Sequence, residues 1–130
     1  MADKTPAEKL RLTAGMKAAL LHVPVELGPA LGIPESVERV GDPGDADFIL
    51  DFATTQAEAE ERLRGLRPAM REKTVAWMGY PKGSKAAGYD ISRDTIWAFV
   101  KTIGLVLNAN VALDEKWSAV RMRPAKPGEV

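Results

Sequence analysis

Apolar positions along the chain gather into short blocks separated by proline, glycine and charge. Residues 16–23, closed by Pro24, are mostly apolar and predict a strand buried on both faces of a parallel sheet. Phe48-Ile49-Leu50-Asp51-Phe52 predicts the clearest buried strand, and residues 74–80, stopped by Pro81, predict another. A long strand-like run covers 105–113. The turn Asp114-Glu115-Lys116 joins it to Trp117–Arg123, where apolar and polar residues alternate as in a half-exposed strand at a sheet edge. Residues 36–40 predict a short edge strand. Helical spacing appears in two places. Thr55-Gln56-Ala57-Glu58 has the form of a capping box, followed by an apolar stripe of Ala59, Leu63 and Leu66. Glu58–Arg62 and Glu60–Arg64 are spaced as ion pairs on its wet side. Ile96, Trp97, Phe99, Val100 and Ile103 share one side of a helix over 92–103, with Gly104 at its C-terminal cap. A short helix over 25–31 is weakened by Gly28-Pro29. Residues 7–12 read as a polar lead-in.

Strands alternating with helices predict an α/β three-layer sandwich with a mainly parallel sheet, and the three-residue turn forces its last two strands into an antiparallel hairpin. A length of 130 residues suits one domain over 1–123, with 124–130 as a flexible tail. There are no cysteines, which excludes disulfides, thiol nucleophiles and Cys-ligated zinc or iron–sulfur clusters. With a single histidine and no acidic cluster at ligand spacing, no metal is expected. The first residues lack a basic segment leading into an apolar stretch, and no apolar run reaches membrane-spanning length. The expectation is a cytoplasmic protein with no membrane contact. The net charge is zero, yet residues 1–65 hold 7 basic and 12 acidic side chains against 11 and 6 in residues 66–130. The basic half has no long Lys/Arg run and few interleaved aromatics, so an anionic small molecule is the expected partner and nucleic acid is not.

A parallel sheet that ends in such a hairpin resembles the Rossmann-like methyltransferase architecture. Leu63-Arg64-Gly65-Leu66-Arg67-Pro68 followed by Thr74-Val75-Ala76-Trp77 resembles the helix–Leu-Arg-Pro–strand passage common there, although Ala69-Met70 stands where a Gly-Gly pair usually follows. Tyr80-Pro81-Lys82-Gly83-Ser84, Asp90-Ile91-Ser92-Arg93-Asp94 and Trp117-Ser118-Ala119-Val120-Arg121 resemble a family of small bacterial single-domain proteins of uncharacterised function. That resemblance implies the fold and a bacterial source, and no activity. The methyltransferase resemblance implies a Gly-rich turn for S-adenosylmethionine after the first strand. His22-Val23-Pro24-Val25-Glu26-Leu27-Gly28 lacks it, and a ribose-binding acid after the second strand is not evident, although Asp42 can be argued.

The candidate chemistry lies where strands end. The loop from Tyr80 to Asp94 leaves a strand and enters a helix, the usual place for a ligand in an open α/β sheet. Lys82, Lys85 and Arg93 offer positive charge, Gly83 and Gly88 open the backbone to an anion, and Ser84 offers a hydroxyl. An ordinary surface loop, with Asp90 or Ser92 capping the helix, explains the same residues. Asp51 interrupts an apolar strand near its end, as a ligand-binding or basic carboxylate does, or one that satisfies strand-edge amides. His22 ends the first strand as a hydrogen-bonded residue or a catalytic base. Trp77 and Trp97 are expected in the core, whereas Trp117 and Arg121 are expected to line the crevice or a subunit contact. These residues favour a non-catalytic domain binding an anionic or nucleotide-like ligand or a protein partner, with Tyr80, Lys82, Gly83, Ser84, Asp90, Arg93 and Asp51 at its site. The alternatives are a divergent S-adenosylmethionine-dependent methyltransferase and a module that self-assembles through the edge over 117–123. Whether any reaction is catalysed stays open at this stage.

Overall fold

The computed structural model describes residues 5–71, 73–82 and 88–128. Among these residues six strands form one sheet: β1 (Lys17–Leu20), β2 (Glu38–Arg39), β3 (Phe48–Phe52), β4 (Val75–Pro81), β5 (Leu105–Ala112) and β6 (Trp117–Pro124). Their spatial order is β2-β1-β3-β4-β6-β5. β1 pairs in parallel with β2 and β3, and β3 with β4, while β6 runs antiparallel to both β4 and β5. The protein is therefore a mixed α/β domain with a mostly parallel sheet and an antiparallel end, as its element order implies.

Strand alternation sends side chains into two cores. Ile49, Ala76, Met78, Tyr80, Val120 and Met122 pack on one face of the sheet, beneath helices α2 (Gln56–Leu66) and α3 (Arg93–Thr102). Phe48, Leu50, Phe52, Trp77 and Trp117 face the other side, against the short helix α1 (Pro6–Lys9) and the turn around Leu31. Packing rather than surface charge holds α2. Burying a leucine such as Leu63 contributes about 1.5–3 kcal/mol, whereas partly exposed pairs like Glu58–Arg62 and Glu60–Arg64, at 3.8 and 3.7 Å, contribute about 0.3–0.5. No helix of the described residues is long and apolar enough to cross a membrane.

Several local expectations change. Residues 25–31 form no α-helix, only turns and one 3-10 turn at Pro29–Leu31, because proline and glycine interrupt the hydrogen bonding. The lead-in contains α1, whose Thr5 and Glu8 complete a reciprocal capping box. At α2 that box is half made: Thr55 accepts from the Glu58 N–H, but the Glu58 carboxylate turns to Thr54. β6 is not an edge strand. It lies between β4 and β5, so its ladder is paired on both sides and does not offer the free edge that assembly through residues 117–123 requires. Trp97 is 38 % exposed rather than in the core, with the Lys101 ammonium 5.1 Å from its ring centroid. Pro124 closes β6, and the Ala125 N–H donates to the Gly104 carbonyl at 2.9 Å.

Candidate functional site

The chain passes from β1 to β2 on one side, and β3 returns on the other, so the strand order reverses at β1. In an open α/β sheet the strands on either side of that reversal splay apart at their C-terminal ends and leave a crevice. The parallel register sets Leu20 opposite Leu50, which brings the residues just beyond β1 beside Asp51. There His22 Nδ1 lies 2.7 Å from Asp51 Oδ1. The Phe52 N–H donates to the same oxygen at 2.7 Å. The Asp51 side chain is 2 % exposed and the His22 side chain 54 %. An ionised carboxylate only accepts, so the proton of this contact sits on Nδ1 and Nε2 is left bare in the neutral ring. His22 adopts φ 53°, a left-handed conformation sparsely populated by residues other than glycine.

His22 lines a cleft of about 280 Å³ together with Thr54, Glu58, Arg62 and Trp117. The Thr54 N–H and hydroxyl donate to Glu58 Oε1 at 2.9 and 3.0 Å, and these bonds, the backbone one foremost, hold the Glu58 carboxyl below its ordinary 4.5. The Arg62 guanidinium donates to the Phe52 carbonyl at the end of β3. Trp117 is buried, packs edge-on against Phe52 at 5.5 Å, and its indole N–H has no acceptor among the described residues. The Lys116 ammonium stands 5.5 Å from the Trp117 ring centroid.

The residues singled out from sequence do not share one site, although Tyr80 and Arg93 come together beside Asn110. Asp51 supports the His22 cleft. Tyr80 is buried on β4 and its hydroxyl donates to Asn110 at 3.2 Å, while burial pushes its phenol above the ordinary 10.0. The Lys82 N–H donates to the Lys116 carbonyl at 2.7 Å, which places the start of its loop next to Trp117. Gly83, Ser84 and Lys85 lie outside the described residues. Asp90 accepts the Gln56 N–H at 2.8 Å and so serves the start of α2, while Ser92 caps α3. Arg93 is exposed, 3.7 Å from Asp94, and lines a separate groove of about 480 Å³ with Trp97, Asn108 and Asn110. Glu58 and Arg62 are missing from the sequence-derived set. Their i,i+4 spacing has an ordinary solvated explanation, and the only signal for the site is that the first turns of α2 follow directly on Asp51.

No family model matches the chain, and no curated protein matches it in sequence. Its fold is similar to solved structures. A mutant of MtNAS in complex with S-adenosylmethionine aligns with a TM-score of 0.59 at 15 % identity, over 92 % of this chain and 59 % of that one. A Sulfolobus solfataricus protein described as a putative type 11 methyltransferase aligns at 0.58 and 8 % identity, over 95 % and 92 % of the two chains. The Bacillus subtilis tRNA methyltransferase TrmK aligns at 0.54 and 14 % identity, over 97 % and 67 %. The chain thus has a methyltransferase-like Rossmann fold and spans 59 % of the length of MtNAS.

A methyl donor held in the manner this likeness suggests needs close backbone approach at the turn after β1, which glycine permits. Residues 21–27 contain no glycine. Asp42, the acid after β2, accepts the Gly44 N–H at 2.9 Å within its own turn. The residues present do not fit that cradle.

Proposed function

We propose that this protein is a small-molecule-binding domain on a methyltransferase-like scaffold, and that an anionic or nucleotide-like ligand occupies the His22 cleft. The observation that carries this reading is convergence: Arg62, His22 and Trp117 line one cleft at the crevice where the strand order reverses, with the Glu58 carboxylate 3.8 Å from the Arg62 guanidinium. Buried polar groups are nearly always paired, and the Trp117 indole N–H, on a residue of this lining, has no acceptor among the described residues. A volume of about 280 Å³ lies just under the usual range of roughly 300–1,000 Å³, so the ligand is a mononucleotide, part of one, or a smaller acid rather than a dinucleotide. Among the described residues of the Tyr80–Asp94 loop, Lys82 is tied through its N–H to the Lys116 carbonyl beside Trp117 and adds a positive charge there. A divergent S-adenosylmethionine-binding protein is the second reading. It draws on the fold likeness, and the glycine-free turn after β1 stands against it.

Calorimetric titration with inorganic phosphate, AMP and S-adenosylmethionine tests both. Binding of phosphate or AMP, weakened about tenfold or more by Arg62→Ala, supports the cleft, because a charge-assisted hydrogen bond contributes roughly 1.5–3 kcal/mol. Binding of S-adenosylmethionine alone favours the second reading. Silence across all three probes retires the site.

A further inference from the structure

We propose that His22 and Asp51 form an acid–base dyad that activates water against a small carboxylic ester seated in the cleft. This rests on the reading of the cleft as a ligand site and adds a reaction to it.

Three observations converge on the dyad. The carboxylate is buried and the imidazole is not, at 2 % and 54 % exposure, so Asp51 anchors while the free edge of the ring faces the cleft. The bond at 2.7 Å engages Nδ1, which fixes the tautomer with Nε2 as a proton acceptor. His22 sits at φ 53°, in the left-handed region that residues other than glycine rarely adopt, and this turn sets the ring beside Asp51. An Asp–imidazole pair of this geometry orients a base and stabilises the imidazolium formed when that base takes a proton. Thr54 is the sole hydroxyl residue among the described lining residues, and its hydroxyl donates to Glu58. Among the described residues that leaves water as the nucleophile.

The step balances without a redox partner. Nε2 takes a proton from water as the water oxygen bonds to the ester carbonyl carbon. The tetrahedral adduct then breaks its bond to the alcohol oxygen, and the proton on Nε2 passes to that oxygen. Water is consumed, and an acid and an alcohol leave. Arg62 holds an anionic group on the acid or alcohol part, which defines the substrate class as small anionic esters. Among the described residues, the charged groups facing His22 are Asp51 from β3 and the Glu58–Arg62 pair of α2, 3.8 Å apart; Lys116, 4.0 Å from Glu26, stands over the Trp117 ring.

The chain contains one histidine, so imidazole chemistry in an untagged protein has one source. The probe is p-nitrophenyl acetate, which lacks an anionic group and therefore reads the dyad independently of ligand recognition. The expected rate of p-nitrophenolate release exceeds that of N-acetylhistidine at equal concentration by at least about tenfold, below the roughly 10²–10⁴-fold of an evolved acid–base group on its own substrate. His22→Gln brings it to the buffer rate. Asp51→Asn, with its fold checked by circular dichroism, keeps the imidazole and loses about tenfold or more. Nitrogen-15 spectra of the wild-type ring show the proton on Nδ1 and a bare Nε2 in the neutral form, a readout that no variant's folding affects. Equal rates for wild type and His22→Gln, a rate no higher than that of N-acetylhistidine, or the opposite tautomer each overturn the dyad. Phosphate or AMP binding without His22-dependent ester cleavage removes the dyad and leaves the binding site; His22-dependent cleavage without phosphate or AMP binding does the reverse.

Discussion

Gly79 lies opposite Phe52 in the β3–β4 register, and a methyl group added to it would overlap the Phe52 ring. That ring in turn supports Trp117 at the cleft. Glycine is there because an aromatic side chain crosses its backbone, not because the strand needs flexibility. Gly79→Ala is therefore expected to destabilise the protein by about 1–3 kcal/mol, the usual cost of overpacking, and to alter the tryptophan emission spectrum in the folded state. Urea denaturation followed by fluorescence checks both, and an unchanged midpoint would show that Phe52 can move aside freely. Trp77 carries a different load: its indole N–H donates to the Leu10 carbonyl at 2.9 Å and ties α1 to the sheet. Trp77→Phe keeps most of the buried area and removes that bond, so a loss of about 1 kcal/mol or more is expected in the same experiment. Residues like these are hard to read from sequence. The partner of Trp77 is 67 positions away. Asp51 and His22 each stand out in the sequence, as an acid in an apolar strand and as the lone histidine, but their pairing exists only once the parallel β1–β3 register is set.

At the scale of elements, the start of α2 couples the helix to the cleft. Glu58 is tied to Thr54, and its folded-state affinity for protons is lowered by those bonds. A carboxyl whose folded value lies below its unfolded one stabilises the fold above the unfolded value and loses that contribution as pH falls through the folded one. Glu58→Gln is accordingly expected to melt below wild type at pH 7, with the gap closing as pH drops below about 4.5, the ordinary glutamate value. Melting curves between pH 3 and 7 (roughly the range over which glutamates titrate) check this, and a gap independent of pH would assign the effect to packing. The elements themselves were largely legible. β3 matches the apolar block 48–52 residue for residue, and α2 and α3 begin at the expected Thr55 and Ser92 caps, because local hydrogen bonding and periodicity set those boundaries. What local pattern could not give was strand order. Alternation along residues 117–123 looks like an edge because polar residues interrupt both faces, Ser118 beside Val120 and Met122 on one and Arg121 and Arg123 beside Trp117 and Ala119 on the other. The hairpin inserts that strand between β4 and β5 instead, and both neighbours cover it.

Across the whole molecule the acidic first half and basic second half do not form opposed poles. β3, from the acidic half, pairs directly with β4, from the basic half, so both share one sheet and one pair of cores. Stability should then be graded by distance from that central pair rather than by position along the chain. All five residues of β3 are buried, and β4 is buried from Ala76 to Pro81. By contrast β2 has two residues, both exposed, and β5 has a register shift between Leu107 and Ala109 with Asn108, Ala109 and Asn110 exposed. Amides open with free energies that run from near zero at frayed edges to the global value in the core. Native-state hydrogen exchange is expected to find the β3 and β4 amides limited by global unfolding, while those of β2 and of residues 108–110 exchange through local opening that is insensitive to low denaturant. His22 and Asp51 straddle that gradient. Asp51 belongs to the strand expected to open last, and His22 stands on a turn beyond a four-residue strand. The cleft is therefore expected to have a fixed wall at β3 and a more mobile one at the β1 turn. A ligand that bridges them should slow exchange at residues 21–23 selectively, by a factor that rises with its concentration, and leave β3 unchanged. Uniform protection across the sheet would instead mean that the whole domain, and not the β1 turn, responds to binding.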